Sequence, residues 1–245
     1  NETLEPYNES GKMDLVDFGF RVLLNLTADF SGIDRPNKSK NETETLLRLL
    51  KIFASGATLH HSTRDHEEVK GEVRDALKEF DKNFLTPSIE RRKAIIKQGS
   101  GEDLPNDILT VLLVNDDQLN MPYDVLQREI AFYLLAGAQT SIHSLVHVFH
   151  EIHSWLKENP EREDDIKNDP IFVQKCFLES TRLHPSSPVA LRKPVCPVQL
   201  PGNKNANEDD SVVIDLYNSN RDKKVFGNDA EKFNPDRETP NGHNL

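Results

Sequence analysis

Residues 130–142 read IAFYLLAGAQTSI, and this stretch decides the fold class. It is apolar on nearly every face of a helix, the pattern of an element that runs through the centre of a core. The helical pattern extends without interruption from Pro122, placed where a first helical turn begins, to Trp155 and Leu156. A helix of about 35 residues is about 50 Å long, the span of a domain larger than this chain. Beyond Ile142 the pattern becomes amphipathic, with Leu145, Val148, Phe149, Ile152 and Trp155 on one side and His143, His147 and His150 on the other. Inside it stands Ala136-Gly137-Ala138-Gln139-Thr140. A mid-helix Gly costs about 1 kcal/mol relative to Ala, so a reason is wanted. Bare backbone admits either a close-packed second helix or a ligand group. Thr140 can bond a freed carbonyl or present its hydroxyl in the groove so opened.

Outward from this helix the texture stays helical on one side and changes on the other. Upstream, Leu15, Phe18, Val22, Leu26 and Phe30 form one stripe over residues 14–30, and Leu46, Leu49, Leu50 and Phe53 another over 42–60. A charged helical pattern covers about 65–98, Gly99 to Gly101 breaks the chain, and a short helix is expected over 103–114. Downstream, a helix over 170–184 is stopped by His184-Pro185. After Pro185 come three short strand patterns, Val189 to Leu191, Val195 to Leu200 and Val212 to Ile214, with a Pro201-Gly202 turn. The last thirty residues are rich in Asn, Asp and Pro and read as irregular. The expected fold is mainly α with a small β component. The chain reads as a single partial domain over 1–245, helical over 1–184, with short strands and a meander over 185–245.

Composition narrows the function. The 245 residues carry 30 basic against 41 acidic side chains, a formal charge of −11, which argues against a general nucleic-acid binder because phosphate affinity comes from clustered Lys and Arg. No run approaches the roughly 18–20 apolar residues that cross a bilayer, and no signal-type segment opens the chain. Two cysteines, Cys176 and Cys196, make neither a disulfide framework nor a zinc spacing, so a reduced, cytoplasmic setting is expected. The four Asn-x-Ser/Thr sequons at Asn8, Asn25, Asn37 and Asn41 read as by-products of an Asn-rich composition. Because residue 1 is Asn rather than Met, an internal piece of a longer protein is expected.

Three constellations carry chemistry. His143 and His147, at i and i+4, have a metal-chelating spacing, but they lie opposite the apolar stripe and no HExxH motif accompanies them, so a solvated face is expected and no metal site. Glu179-Ser180-Thr181-Arg182 puts a carboxylate and a guanidinium on one helix face; alone it reads as a surface ion pair. The order of the pieces is more specific. Residues 179–194, ESTRLHPSSPVALRKP, follow the AGAQT helix and precede Asn220-Arg221-Asp222, Val225-Phe226-Gly227 and Phe233-Asn234-Pro235-Asp236-Arg237. That series resembles the cytochrome P450 superfamily of heme-thiolate monooxygenases, from the helix at Asp14 to the end of the chain.

The resemblance implies a role for each matching residue. Ala136 and Gly137 match the small residues that leave room for dioxygen at the heme, and Thr140 the alcohol that helps deliver protons for O–O cleavage. Gln139 stands where the family usually has Asp or Glu, so the proton path needs water or another side chain. Glu179, Arg182 and Arg237 match a buried Glu–Arg–Arg network behind the heme. Arg192 matches a ligand of a heme propionate, and Pro188, Val189, Ala190 and Leu191 a lining that suits an apolar substrate. A ferredoxin or flavoprotein reductase is implied as electron donor, in a soluble, bacterial-type enzyme. The family's ligand Cys loop is not found up to Gly242-His243-Asn244-Leu245, and the context of neither Cys176 nor Cys196 suits it, so residues 1–245 alone are expected to be inactive. The rival expectation is a heme-less P450-like accessory protein that activates a partner enzyme. A third is a helical module that binds metal through its histidines.

Overall fold

The computed structural model describes residues 11–37, 39–99 and 104–238. Its described residues are mainly α with two small antiparallel sheets, and the chain divides into two compact units, the boundary falling after Ile142 within one long helix.

The first unit begins with α1 (Leu15–Ser31), capped by the Asp14 carboxylate, which accepts from the Val16 and Asp17 amides. It ends at Gly32, whose φ of 87° is the left-handed conformation that suits glycine. A Cβ there would also lie 2.5 Å from Leu109 Cβ. Helix α2 (Lys40–Ala57) starts with a Ser39/Glu42 capping box. It ends three residues earlier than the stripe suggested, in a 3-10 turn over Leu59–His61. The charged run forms α3 (His66–Phe80) and α4 (Thr86–Gln98), joined by a π-helical segment over Asp81–Leu85. The segment ends two residues before Pro87, whose ring opposes regular α-helical continuation.

Helix α5 (Ile108–Val114) starts later than expected, because Pro105 bars the preceding residue from helix and Asp107 caps the helix at Thr110 N. Residues 100–103, which include part of the expected break and helix start, lie outside the described residues. A single turn, α6 (Asp116–Leu119), leads into α7 (Tyr123–Glu158), the 36-residue helix that the sequence predicts.

In the core of this unit, Leu126, Ile130, Leu134, Ala138 and Ile142 form an i, i+4 stripe of α7 packed with Leu24, Leu49, Leu50, Phe80 and Leu109. The expectation of burial on nearly every face is corrected here: Phe132 is 57% and Tyr133 40% exposed. Among the described residues, α7 buries one face in this unit, as an amphipathic helix does.

In the second unit the later half of α7 packs Val148, Leu145, Ile152 and Trp155 with Phe172, Cys176 and Phe233. Phe149, assigned to this apolar side, is exposed. Helices α8 (Glu163–Asn168) and α9 (Pro170–Leu183) follow, α9 with Asp169 as cap and Pro at its first position. Strands β1 (Val189–Arg192) and β4 (Val212–Asp215) pair in one sheet, and β2 (Val198–Leu200) and β3 (Lys204–Ala206) form a hairpin around Pro201-Gly202-Asn203.

Two expectations change. The second strand begins at Val198 rather than Val195, because Pro194 and Pro197 cannot donate to a ladder. The polar strand β3 carries no apolar alternation that would announce it. Residues after Asp215 are not wholly irregular either: Asp215 and Asp222 cap the single turns α10 (Leu216–Ser219) and α11 (Lys223–Phe226).

Candidate functional site

The ExxR spacing turns one face of α9 toward the loops that follow β4. Arg182 Nε donates to Glu179 Oε2 at 2.8 Å and Nη2 to Oε1 at 2.7 Å, a bidentate pair. Arg237 Nε reaches the same Oε1 at 3.1 Å, as does the Asn234 amide. Arg182 is wholly buried and Glu179 nearly so, so a surface ion pair does not describe them. The remaining donors of Arg182 are spent on backbone: Nη1 on the carbonyls of Asn220 and Ala230, both at 2.6 Å, and Nη2 on Lys232 at 3.2 Å. Its guanidinium also lies 5.0 Å from the Phe226 ring centroid.

Arg237 completes the knot. Its Nη1 and Nη2 grip the two oxygens of Asp229 at 2.8 and 3.1 Å. That bond, with one from Asn234, holds the Asp229 carboxyl at a pKa of about 2. Residues 220–237, almost without regular structure of their own, are thus fixed by two guanidinium groups. Sequence reading identifies Glu179, Arg182 and Arg237 but not Asp229 or Asn234, whose only signal is their place among the segments around Arg237. Nearby, Arg162 stacks 4.4 Å from the Phe172 centroid and bonds Asp236 at 2.8 Å.

The AGAQT segment lies on α7 in the first unit. A Cβ on Gly137 would stand 2.7 Å from Thr27 Cγ2 of α1, which makes this glycine a point of close helix approach. Thr140 is exposed, and its Oγ1 donates to the Ala136 carbonyl at 2.8 Å. Ala136 and Gln139 are half-buried.

In the second unit, Pro188, Val189 and Leu191 are exposed and Ala190 half-buried. Across the sheet Val213 and Ile214 are exposed as well. Arg192 is exposed, and its one hydrogen bond among the described residues goes to the Leu191 carbonyl at 2.8 Å. The cysteines differ: burial pushes the Cys176 thiol up to a pKa of about 11, whereas Cys196 is exposed. On the histidine face, His147 stacks on His184 with centroids 4.3 Å apart, and His184 Nε2 meets Glu151 Oε1 at 2.7 Å. Burial and then the neighbouring His184 lower the pKa of His147. The sequon residue Asn8 and the segment Gly242 to Leu245 lie outside the described residues.

The first unit holds a buried network of its own that the sequence did not announce. Arg92 of α4, buried, donates to Asp107 Oδ2 at 2.6 Å, to Asp34 Oδ2 at 3.1 Å and to Thr110 Oγ1 at 3.0 Å. It ties the loops after α1 and before α5 to α4. Among the described residues no helix is long and apolar enough to cross a membrane.

The chain is similar to known proteins. Cytochrome P450 52C1 of Candida tropicalis is 29% identical over 182 residues, 65% of this chain and 35% of that protein. Alkane hydroxylase MAH1 of Arabidopsis thaliana is 28% identical over 178 residues, 67% of this chain and 36% of its own length. Among solved structures, CalO2 superposes with a TM-score of 0.73 at 19% identity, covering 98% of this chain and 54% of that one. CYP154C4 from Streptomyces sp. ATCC 11861 gives 0.71 at 20% identity, with 99% and 54% covered. The chain therefore spans about a third of the length of these two curated relatives and about half of these structures. The family model for cytochrome P450 matches residues 27–242, a range that takes in both the AGAQT helix and the Glu–Arg–Arg knot, and the chain belongs to the cytochrome P450 family.

Proposed function

We propose that the full-length protein carrying this chain binds heme and oxidises an apolar small molecule, with O2 and two electrons from a ferredoxin or flavoprotein reductase. The observation that carries this reading is the buried Glu179–Arg182–Arg237 knot. A polar network buried this deeply is costly unless fully paired, and its effect is to hold residues 220–237 as a rigid support without regular secondary structure.

The residues present fit part of a heme. Arg192 offers an exposed guanidinium without a carboxylate partner among the described residues, suited to a propionate. Val189, Leu191, Val213 and Ile214 offer apolar edges suited to a porphyrin or a lipophilic substrate. Cys176, kept protonated by burial, is not the axial ligand in this reading. When bound, heme supplies the dioxygen and electron-transfer chemistry, while the protein supplies binding and orientation. Thr140 holds the proton in question at Oγ1. That proton is donated to Ala136 O, so its release toward a substrate requires rotation of the side chain away from its own helix. Gln139 can orient a water but cannot ionise.

The test is heme incorporation into the full-length protein, measured by pyridine hemochrome, followed by product formation with a reductase and a panel of lipophiles. Stoichiometric heme with reductant-dependent oxygenated product is expected. A folded full-length protein without heme overturns the reading in favour of the accessory role.

A further inference from the structure

The histidine face of α7 is not simply solvated. His147 lies flat on His184, the residue that ends α9, with ring centroids 4.3 Å apart and planes within 3° of parallel. His184 Nε2 meets Glu151 Oε1 at 2.7 Å, and these two side chains are only 27% and 19% exposed. Glu151 follows His147 by one helical turn, so a single face of α7 supplies both contacts to one ring.

The chemistry of this trio depends on its protons. Nε2 of His184 can donate to Glu151 from one neutral tautomer and from the imidazolium alike, so one positive charge on the stack is matched by one carboxylate. A second is not, because two stacked imidazolium rings repel with little water between them. The surroundings add to the same sign. Protonation of His147 is opposed by burial, then by His184, His143 and His150, and favoured by Glu151. From the loop after α10 comes a further cation, Arg221, which donates to the Leu183 carbonyl at the end of α9. Glu151 thus faces four imidazoles and a guanidinium, and the balance turns positive as the pH falls through the histidine range.

The contact holds a junction. His184 is followed by Pro185, and β1 begins at Val189. The Pro188 carbonyl accepts from the Leu216 and Tyr217 amides at 3.0 and 3.1 Å. Residues 184–188 are therefore tied to α10 at one end and, through His184, to α7 at the other. We propose that His147, His184 and Glu151 form a pH-sensitive latch, which pins the end of α9 and the start of segment 184–192 to α7 at neutral pH and releases them when the stack takes up a second proton. Because the fold disfavours protonated His147, the latched form loses stability as the pH falls below the ordinary histidine value of about 6.5. Segment 184–192 carries Arg192 and the apolar edge of β1. That its release disturbs a bound heme rests on the heme reading; the latch itself does not.

The test is hydrogen exchange of the full-length protein at about pH 7.5 and about pH 5.5, on either side of the ordinary histidine range, corrected for intrinsic rates. Protection over residues 181–192 should fall toward acid by up to about tenfold per pH unit, the slope of one proton, while residues 163–175 keep theirs. His147→Phe keeps a ring on His184 but takes up no proton, so its protection over 181–192 should be equal at both pH values. Glu151→Gln removes the compensating charge and should release the segment at a higher pH than in the parent. His153→Gln, which changes a histidine of the same helix outside the stack, should behave as the parent does. Equal protection at both pH values in the parent, a fall that persists in His147→Phe, one that His153→Gln abolishes, or one spread evenly over the chain would each overturn the assignment. Release in this pattern from a full-length protein that incorporates no heme would leave the latch standing and count against the heme reading, and heme incorporation with equal protection at both pH values would do the reverse.

Discussion

Glu179→Ala removes the acceptor of four hydrogen bonds: two from Arg182, one from Arg237 and one from the Asn234 amide. The loss falls unequally. Arg237 keeps both oxygens of Asp229, so its charge stays compensated. Arg182, wholly buried, keeps only backbone carbonyls and is left without a negative partner. Breaking a buried pair from one side costs about 3–5 kcal/mol, against a whole-domain stability of about 5–15 kcal/mol. Arg182→Met should cost at least as much, because it strands the carbonyls of Asn220 and Ala230 while Glu179 retains Arg237. Glu179→Gln should fall between the parent and Glu179→Ala, since one oxygen remains while an N–H donor can face Arg182. Urea unfolding of the full-length protein, read as a midpoint shift at unchanged slope, measures the cost, and limited proteolysis within 220–237 shows where it is felt. A loss below about 1 kcal/mol for Glu179→Ala, the range of exposed ion pairs, would refute the reasoning.

Further outcomes are expected. Gly137→Ala should lower the melting temperature despite a helix-propensity gain of about 1 kcal/mol, because its Cβ meets Thr27; Thr27→Ala in the same protein should restore stability, and failure to restore it would remove the close-approach explanation. Thr140→Ala should divert reducing equivalents into hydrogen peroxide at unchanged heme content, checked as product formed per reductant consumed, and unchanged coupling would leave Thr140 only its bond to Ala136. Cys176→Ala with Cys196→Ser should keep full heme content, and loss of heme from a folded variant would show that one of them is the ligand. Asp229 has a folded pKa of about 2 against an ordinary 3.8, so its stabilisation is present above about pH 4 and fades as pH falls toward 2. Asp229→Asn should flatten melting temperature against pH in that window, and an unchanged acid profile would contradict the Arg237 pairing.

What could be read from sequence follows from how local each signal is. Helices α1, α2 and α7 announce themselves by apolar periodicity, with Asp14 and Pro122 marking where the first and last of them start. The π-helical segment at Asp81–Leu85 and the strand Lys204–Ala206 leave no such trace, since one reflects a proline downstream and the other a pairing partner. Glu179 and Arg182 lie three residues apart on one helix, whereas Arg237 lies far along the chain and was reachable only through family resemblance. Asp229 and the Arg92–Asp107–Asp34 network are non-local pairs of ordinary charged residues in an acidic chain. Among so many charges nothing in the sequence marks which ones are buried. Burial of charge is decided by tertiary packing, and periodicity does not register it.

The two arginine knots show what the fold asks of these buried charges. Arg92 holds the loops around Asp34 and Asp107, and Arg182 with Arg237 holds the meander; each guanidinium combines carboxylate partners with backbone carbonyls. A hydrophobic replacement could fill the same volume, but it would leave the carbonyls of Ser88, Asn220 and Ala230 without those donors. A planar cation with five donors satisfies carboxylate and backbone together. Segments with little secondary structure of their own are thereby tied to the helices that carry Arg92 and Arg182. In the proposed function, residues 220–237 so fixed would support a bound heme, and the exposed apolar strands and Arg192 would be available to meet it.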